Sequence, residues 1–162
     1  MFDDAILSPA RDVLRRCEDV GMKLATAESC TGGLVAGALT AIAGSSRVVE
    51  RGFVSYSNEA KIELLGVPAA LIAKHGAVSA HVARAMADGA LARSAAGIAV
   101  SLTGVAGPDG GTDAKPVGLV YIGCARRGRE TAVERHQFSG DRDAVRHASI
   151  IAALTLVLRQ LG

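Results

Sequence analysis

Four short stretches of strand length constrain this chain more than any other feature. "KLATAES" (23–29) and "GIAVSLTG" (97–104) read as short, largely buried strands. "VGLVYIGCAR" (117–126) and "ETAVERHQFS" (130–139) read as two more, joined around "RGR" as a hairpin. A fifth, "RVVERGFVSYS" (47–57), is rich in β-branched and aromatic residues and forms one strand, or two pieces bent near Gly52. Helical segments fill the intervals. Residues 10–20 place apolar side chains at helical spacing before Gly21, and "GGLVAGALTAIAG" (32–44) is an alanine-rich helix closed by Gly44. Ser57 and Asn58 open a helix that ends at Gly66, and Pro68 starts a short one ending near "KHG". Ser79 caps a helix that continues past its internal Gly89, and the last helix follows "SGDRD".

This order predicts an α/β fold: a single domain over residues 1–162, a sandwich of helices on a mixed, mostly parallel sheet. Strand order is left open. Composition says what fills the core. Hydrophobic residues are 49% of the chain but aromatics only 3%, with no tryptophan, so the core is built from Ala, Val, Leu and Ile. The 19 glycines suit close helix–sheet approach.

Several function classes drop out. A net charge of +2, with no basic stripe interleaved with aromatics, gives nucleic acid nothing to bind. No uninterrupted apolar run reaches the ~18 residues of a membrane span, and the N-terminus has no signal-peptide core. Cys17, Cys30 and Cys124 are odd in number and form no CxxC pair, which fits a reducing cytosol. A cytoplasmic protein that binds neither membrane nor nucleic acid is expected.

The chemistry concentrates in a few places. In "AESCTGG" (27–33), Ser29 ends a strand, where α/β sheets gather ligands, and Gly32 and Gly33 free the following backbone. The amides of Thr31, Gly32 and Gly33 are candidates to hold an oxyanion or a phosphate; the alternative is that Ser29 or Thr31 merely caps the helix. The segment is neither a G-x-S-x-G elbow nor a P-loop. The histidines (His75, His81, His136, His147) have no triad or metal spacing, and no Cys/His cluster fits zinc.

Lysine offers another base. "YSNEAK" puts Lys61 in the first turn of a helix, where a cation is disfavoured, and burial there would depress its pKa further. A neutral lysine can deprotonate a serine, and Tyr56 can relay or orient that proton. A surface lysine is the plainer alternative. The glycine-rich loop "TGVAGPDGGTDAKPVG" (103–118), with Thr103, Gly104 and Gly107 at its start, is either a ligand-embracing loop or a crossover. Arg142 and Arg146, spaced i,i+4, either clamp a phosphate or pair with Asp141 and Asp143 at the surface. Cys30 reads as a buried, inert thiol.

Taken together, "TAESCTGG", "AGSSRVVERGFVSYSNEAK", "HGAVS", "TGVAGPDGG", "KPVGLVYI" and "FSGDRDAVR" resemble the CinA (competence/damage-inducible) C-terminal domain family, from about Lys23 to the final helix. The resemblance implies a stand-alone amidohydrolase that converts nicotinamide mononucleotide (NMN) and water to nicotinate mononucleotide and ammonia, in pyridine-nucleotide recycling, without metal or cofactor. It further implies a Ser/Lys pair with an assisting tyrosine at Ser29, Lys61 and Tyr56. Ser46 of "AGSS" becomes a second candidate nucleophile or substrate contact. Arg142 and the 104–111 loop become candidates for the 5′-phosphate. At 162 residues no room is expected for the molybdopterin-binding-like domain that precedes many members. The expected assembly is a homo-oligomer. A non-catalytic nucleotide- or pterin-binding module of the same fold is the alternative.

Overall fold

The computed structural model describes residues 1–162. Five strands, β1 (Leu24–Glu28), β2 (Val49–Val54), β3 (Ile98–Gly104), β4 (Leu119–Arg126) and β5 (Ala132–Gln137), form one sheet in the order β2-β1-β3-β4-β5. β1 pairs parallel with both β2 and β3, while β4 is antiparallel to both β3 and β5, so β4 alone runs against the rest. The mixed, mostly parallel sheet and the terminal hairpin are as expected. One face carries α1 (Asp4–Asp19), α2 (Leu34–Thr40) and α6 (Arg142–Leu161); the other carries α3 (Asn58–Leu65), α4 (Ala69–His75) and α5 (Ala80–Ala92).

Strand alternation builds two unequal cores from the same strands. Leu24, Ile98, Val100, Leu102, Val120 and Ile122 point to the α1/α2/α6 face, where large aliphatics fill the space. Ala25, Ala27 and Ala99 point the other way, under α5. There the strand side chains are small, so α5 sits close: Ser101 Oγ donates to Ala83 O at 2.6 Å, and a Cβ on Gly123 would lie 2.7 Å from the same oxygen. No aromatic side chain is buried.

Local signals explain most helix ends. Ser57 Oγ accepts from Ala60 N at 3.0 Å, Ser79 Oγ from Val82 N at 3.2 Å, and Asp141 Oδ1 from Ala144 N at 2.9 Å. Gly66, at φ 65°, closes α3 in the left-handed region that favours glycine. α1 begins at Asp4, with Pro9 inside it, rather than after Pro9. At 20 residues and a mean hydropathy of 1.3 in its most apolar stretch, α6 has the length and composition of a membrane-crossing helix. Its Val145, Ile150, Ala153, Leu154 and Val157 are instead buried in the core beside α1 and the sheet.

Candidate active site

Ser29 follows the last residue of β1, at the C-terminal edge of the parallel strands, and its N–H donates to Leu102 O at 3.0 Å. Ser55 and Tyr56 follow β2 at that same edge, and α3 begins just beyond them. The fourth residue of α3 is Lys61, 1% exposed. Its Nζ lies 3.0 Å from Ser29 Oγ, 2.9 Å from Ser55 O and 3.2 Å from Tyr56 O. None of the three is a carboxylate. Burial lowers the Lys61 pKa from its ordinary 10.5, opposed only by the nearby Cys30. A neutral amine satisfies every contact: two N–H groups reach the two carbonyls, and the lone pair accepts the Ser29 hydroxyl proton. The pair can therefore move a proton from serine to lysine. Surface placement of Lys61 is excluded.

Ser29 and Lys61 open into a cleft of about 300 Å³, also lined by Cys30, Tyr56, Asn58, Ala77, Val78, residues 103–107, Asp109, Gly110 and Arg142. Arg142 spans its mouth, with one guanidinium nitrogen 2.7 Å from Gly107 O and another 3.1 Å from Tyr56 Oη. Two of its five N–H donors are so engaged, leaving others for a ligand. Asp109 lines the cleft with no hydrogen-bond or ion-pair partner of its own.

Several expected contacts fall elsewhere. Tyr56 reaches Lys61 through its main-chain carbonyl; the residue is 61% exposed and its hydroxyl meets Arg142, so the phenol is not in line with the Ser29 proton. Thr103 lines the cleft, but its hydroxyl is committed to Ala77 O at 2.8 Å. Gly32 N donates to Ser29 O at 3.0 Å and Gly33 N to Glu28 Oε2 at 3.1 Å, so neither amide is available to a ligand. The Thr31 side chain also turns inward, its hydroxyl 2.6 Å from Glu28 Oε2. Ser46 sits in a 3₁₀ turn, Ser45–Arg47, leading into β2 at the N-terminal edge of the sheet. A five-residue strand, on the order of 15 Å long, separates it from Ser29's edge. Ser46 is not part of this cleft. Arg146 points away too, reaching Thr31 O at 3.4 Å.

Glu28 is the residue that sequence reasoning overlooked. It is 0% exposed and accepts four hydrogen bonds, from Thr31 Oγ1, Gly33 N and Val35 N on one oxygen and from Ala36 N on the other. The signal was present: an acid ending an apolar strand, just upstream of a helix that starts on two glycines without a capping side chain.

Cys30, 6% exposed, has its thiol pushed up to about 11, chiefly by burial. At neutral pH it is a thiol, not a nucleophilic thiolate. Cys30→Ala is expected to keep most of the wild-type turnover; loss of activity in Cys30→Ala while Ser29→Ala stays active would reverse the assignment.

An open α/β sheet with a buried lysine against a serine, at the edge where its parallel strands end, defines the class of protein as one built for a ligand cleft at that edge. The chain belongs to the CinA C-terminal domain family, whose model matches residues 7–161. It is 48% identical to the nicotinamide-nucleotide amidohydrolase PncC of Escherichia coli strain K12, over 160 residues covering 99% of this chain and 97% of that one. It is 55% identical over 141 residues to a CinA-like protein of Citrifermentans bemidjiense, 87% of this chain but 34% of that protein. The chain thus spans about a third of the length of such relatives. The crystal structure of the competence/damage inducible protein CihA from Agrobacterium tumefaciens matches with a TM-score of 0.96 and 45% identity, over 99% of this chain and 98% of that one.

Proposed function

We propose that the protein is a nicotinamide-nucleotide amidohydrolase that converts NMN and water to nicotinate mononucleotide and ammonia by a Ser/Lys mechanism. The observation that carries this reading is the 3.0 Å contact between the buried Lys61 amine and Ser29 Oγ. The near-full-length similarity to PncC supplies the substrate.

Neutral Lys61 takes the Ser29 proton as Oγ attacks the carboxamide carbon. The carbonyl oxygen becomes an oxyanion beside the N–H of Cys30, which lines the cleft and has no protein acceptor. Each well-placed donor of this kind is worth about 3–4 kcal/mol. Collapse of the tetrahedral intermediate breaks the C–N bond, and the lysine proton leaves with ammonia. Water then attacks the Ser29 ester, assisted by the same amine, and releases the carboxylate product. The cleft matches the charges on NMN: Arg142 for the phosphate, and the unpaired Asp109 for the cationic pyridinium. Among the residues, no group of three or more His, Cys, Asp or Glu is placed to hold a metal ion, and the mechanism requires none. The proposed setting is pyridine-nucleotide recycling in the cytoplasm.

Ammonia release from NMN by the purified protein tests this reading. Turnover is expected, and a chelator is expected to leave the rate unchanged. Tight NMN binding without ammonia would favour the non-catalytic module, and chelator-sensitive turnover restored by zinc or magnesium would contradict the mechanism.

A further inference from the structure

Neighbouring positions on a strand point to opposite faces, so Ser29 turns to Lys61 on α3 while Glu28 turns to the start of α2. Gly33 stands at the N-cap of α2 with no side chain to offer, and the Glu28 carboxylate fills that role from the strand. The consequence shows in the backbone donors from Ser29 to Ala36. Ser29, Gly32 and Leu34 donate to the carbonyls of Leu102, Ser29 and Thr31. Gly33, Val35 and Ala36 donate to Glu28. Only Cys30 and Thr31 remain; Thr31 is fully buried, and Cys30, which follows Ser29 directly, lines the cleft.

We infer that Glu28 is a positioning residue for the amide hydrolysis proposed above: by occupying the amides at the start of α2 it fixes the 29–33 turn and leaves the Cys30 N–H, at the cleft wall, for the reaction's oxyanion. The inference rests on the amidohydrolase reading. A carboxylate near a developing oxyanion repels it, so Glu28 is useful there only while its four donors hold it and orient the turn. Its contribution therefore belongs to the transition state and not to NMN binding. The groups proposed to bind NMN in the ground state, Arg142 and Asp109, line the cleft from other elements.

The test compares wild type, Glu28→Gln and Thr31→Val in NMN hydrolysis. It also measures binding of the aldehyde analogue of NMN, which adds Ser29 Oγ to form a tetrahedral hemiacetal. Glu28→Gln keeps the shape but sets an NH₂ donor against an amide donor. It is expected to lower kcat about 10- to 100-fold with KM within about threefold, the range of a partly lost oxyanion donor. Affinity for the aldehyde should fall in parallel, while affinity for the product nucleotide is kept. Thr31→Val removes one bond to Glu28 and leaves the backbone amide in place; it is expected to show the same split, several-fold in size. Should Glu28→Gln fail to fold, Thr31→Val decides. Unchanged kcat and aldehyde affinity in the folded variants would overturn the inference, as would equal losses of aldehyde and product binding, which mark a general structural defect. A wild type that releases no ammonia would overturn the amidohydrolase reading itself, a separate and prior failure.

Discussion

Lys61→Arg is expected to lose at least nine-tenths of wild-type turnover, and a loss of 10²- to 10⁴-fold is the usual worth of a general base. Arginine keeps the positive charge but stays protonated at any working pH, so it cannot accept the Ser29 proton. Lys61→Met, which keeps the apolar stem, should fall as far. Both variants should still bind NMN, because Lys61 Nζ is occupied by Ser29 and two main-chain carbonyls and not by a phosphate site. The wild-type rate should rise with pH through the lowered Lys61 pKa and then level off, since only the neutral amine is competent. Folding follows the same proton. Between the lowered folded value and the ordinary 10.5, the unfolded chain holds a proton that the folded chain has released, so this group's contribution to stability rises with pH across that interval. If Lys61→Arg retains more than about a tenth of turnover, less than ~1.4 kcal/mol in barrier terms, the Ser/Lys assignment fails.

Gly89→Ala is expected to lower both stability and turnover. Helix propensity alone favours the change, by about 1 kcal/mol. Packing opposes it more strongly: a Cβ there would lie 1.9 Å from Leu65 O, a backbone atom that cannot rotate aside. α3 or α5 must move. Overpacking of this kind costs about 1–3 kcal/mol net, or roughly 2–12 °C in melting temperature for a chain of this size. Leu65 lies one helical turn from Lys61 on α3, so relief of the clash displaces the amine from Ser29. Thermal denaturation and turnover of the folded variant check both effects. An unchanged melting temperature would show that the helices separate without cost.

Much of this architecture was legible in the sequence where a local signal fixes it. Ser57 and Gly66 bound α3, Ser79 starts α5, and the hairpin around "RGR" forms as its pattern requires. The Ser29–Lys61 approach followed from two local placements, a serine at a strand end and a lysine early in a helix, once β1 and β2 paired in parallel. What depended on distant partners was not legible. Strand order is set by which apolar faces meet, and nothing in "RVVERGFV" says that it lies at the edge beside β1. The apolar spacing from residue 10 onward showed only the later part of α1; Asp3 caps it well upstream, its Oδ1 3.2 Å from Ile6 N, and Pro9 lies inside it. The glycine amides after Ser29 looked free because Glu28, inside the same motif, reads as a strand residue, and its reach to Gly33 N and the start of α2 shows only in three dimensions. Ser46 shares a motif stretch with Lys61, but β2 carries the two to opposite edges of the sheet.

The most direct test of the Ser29–Lys61 reaction is to quench wild-type protein in acid during NMN turnover and map the modified peptide by mass spectrometry. The nicotinate-mononucleotide ester is predicted on Ser29 and absent from Lys61→Met protein treated identically. The same acyl group on Cys30, or on Ser29 to an equal extent in Lys61→Met, would contradict the account.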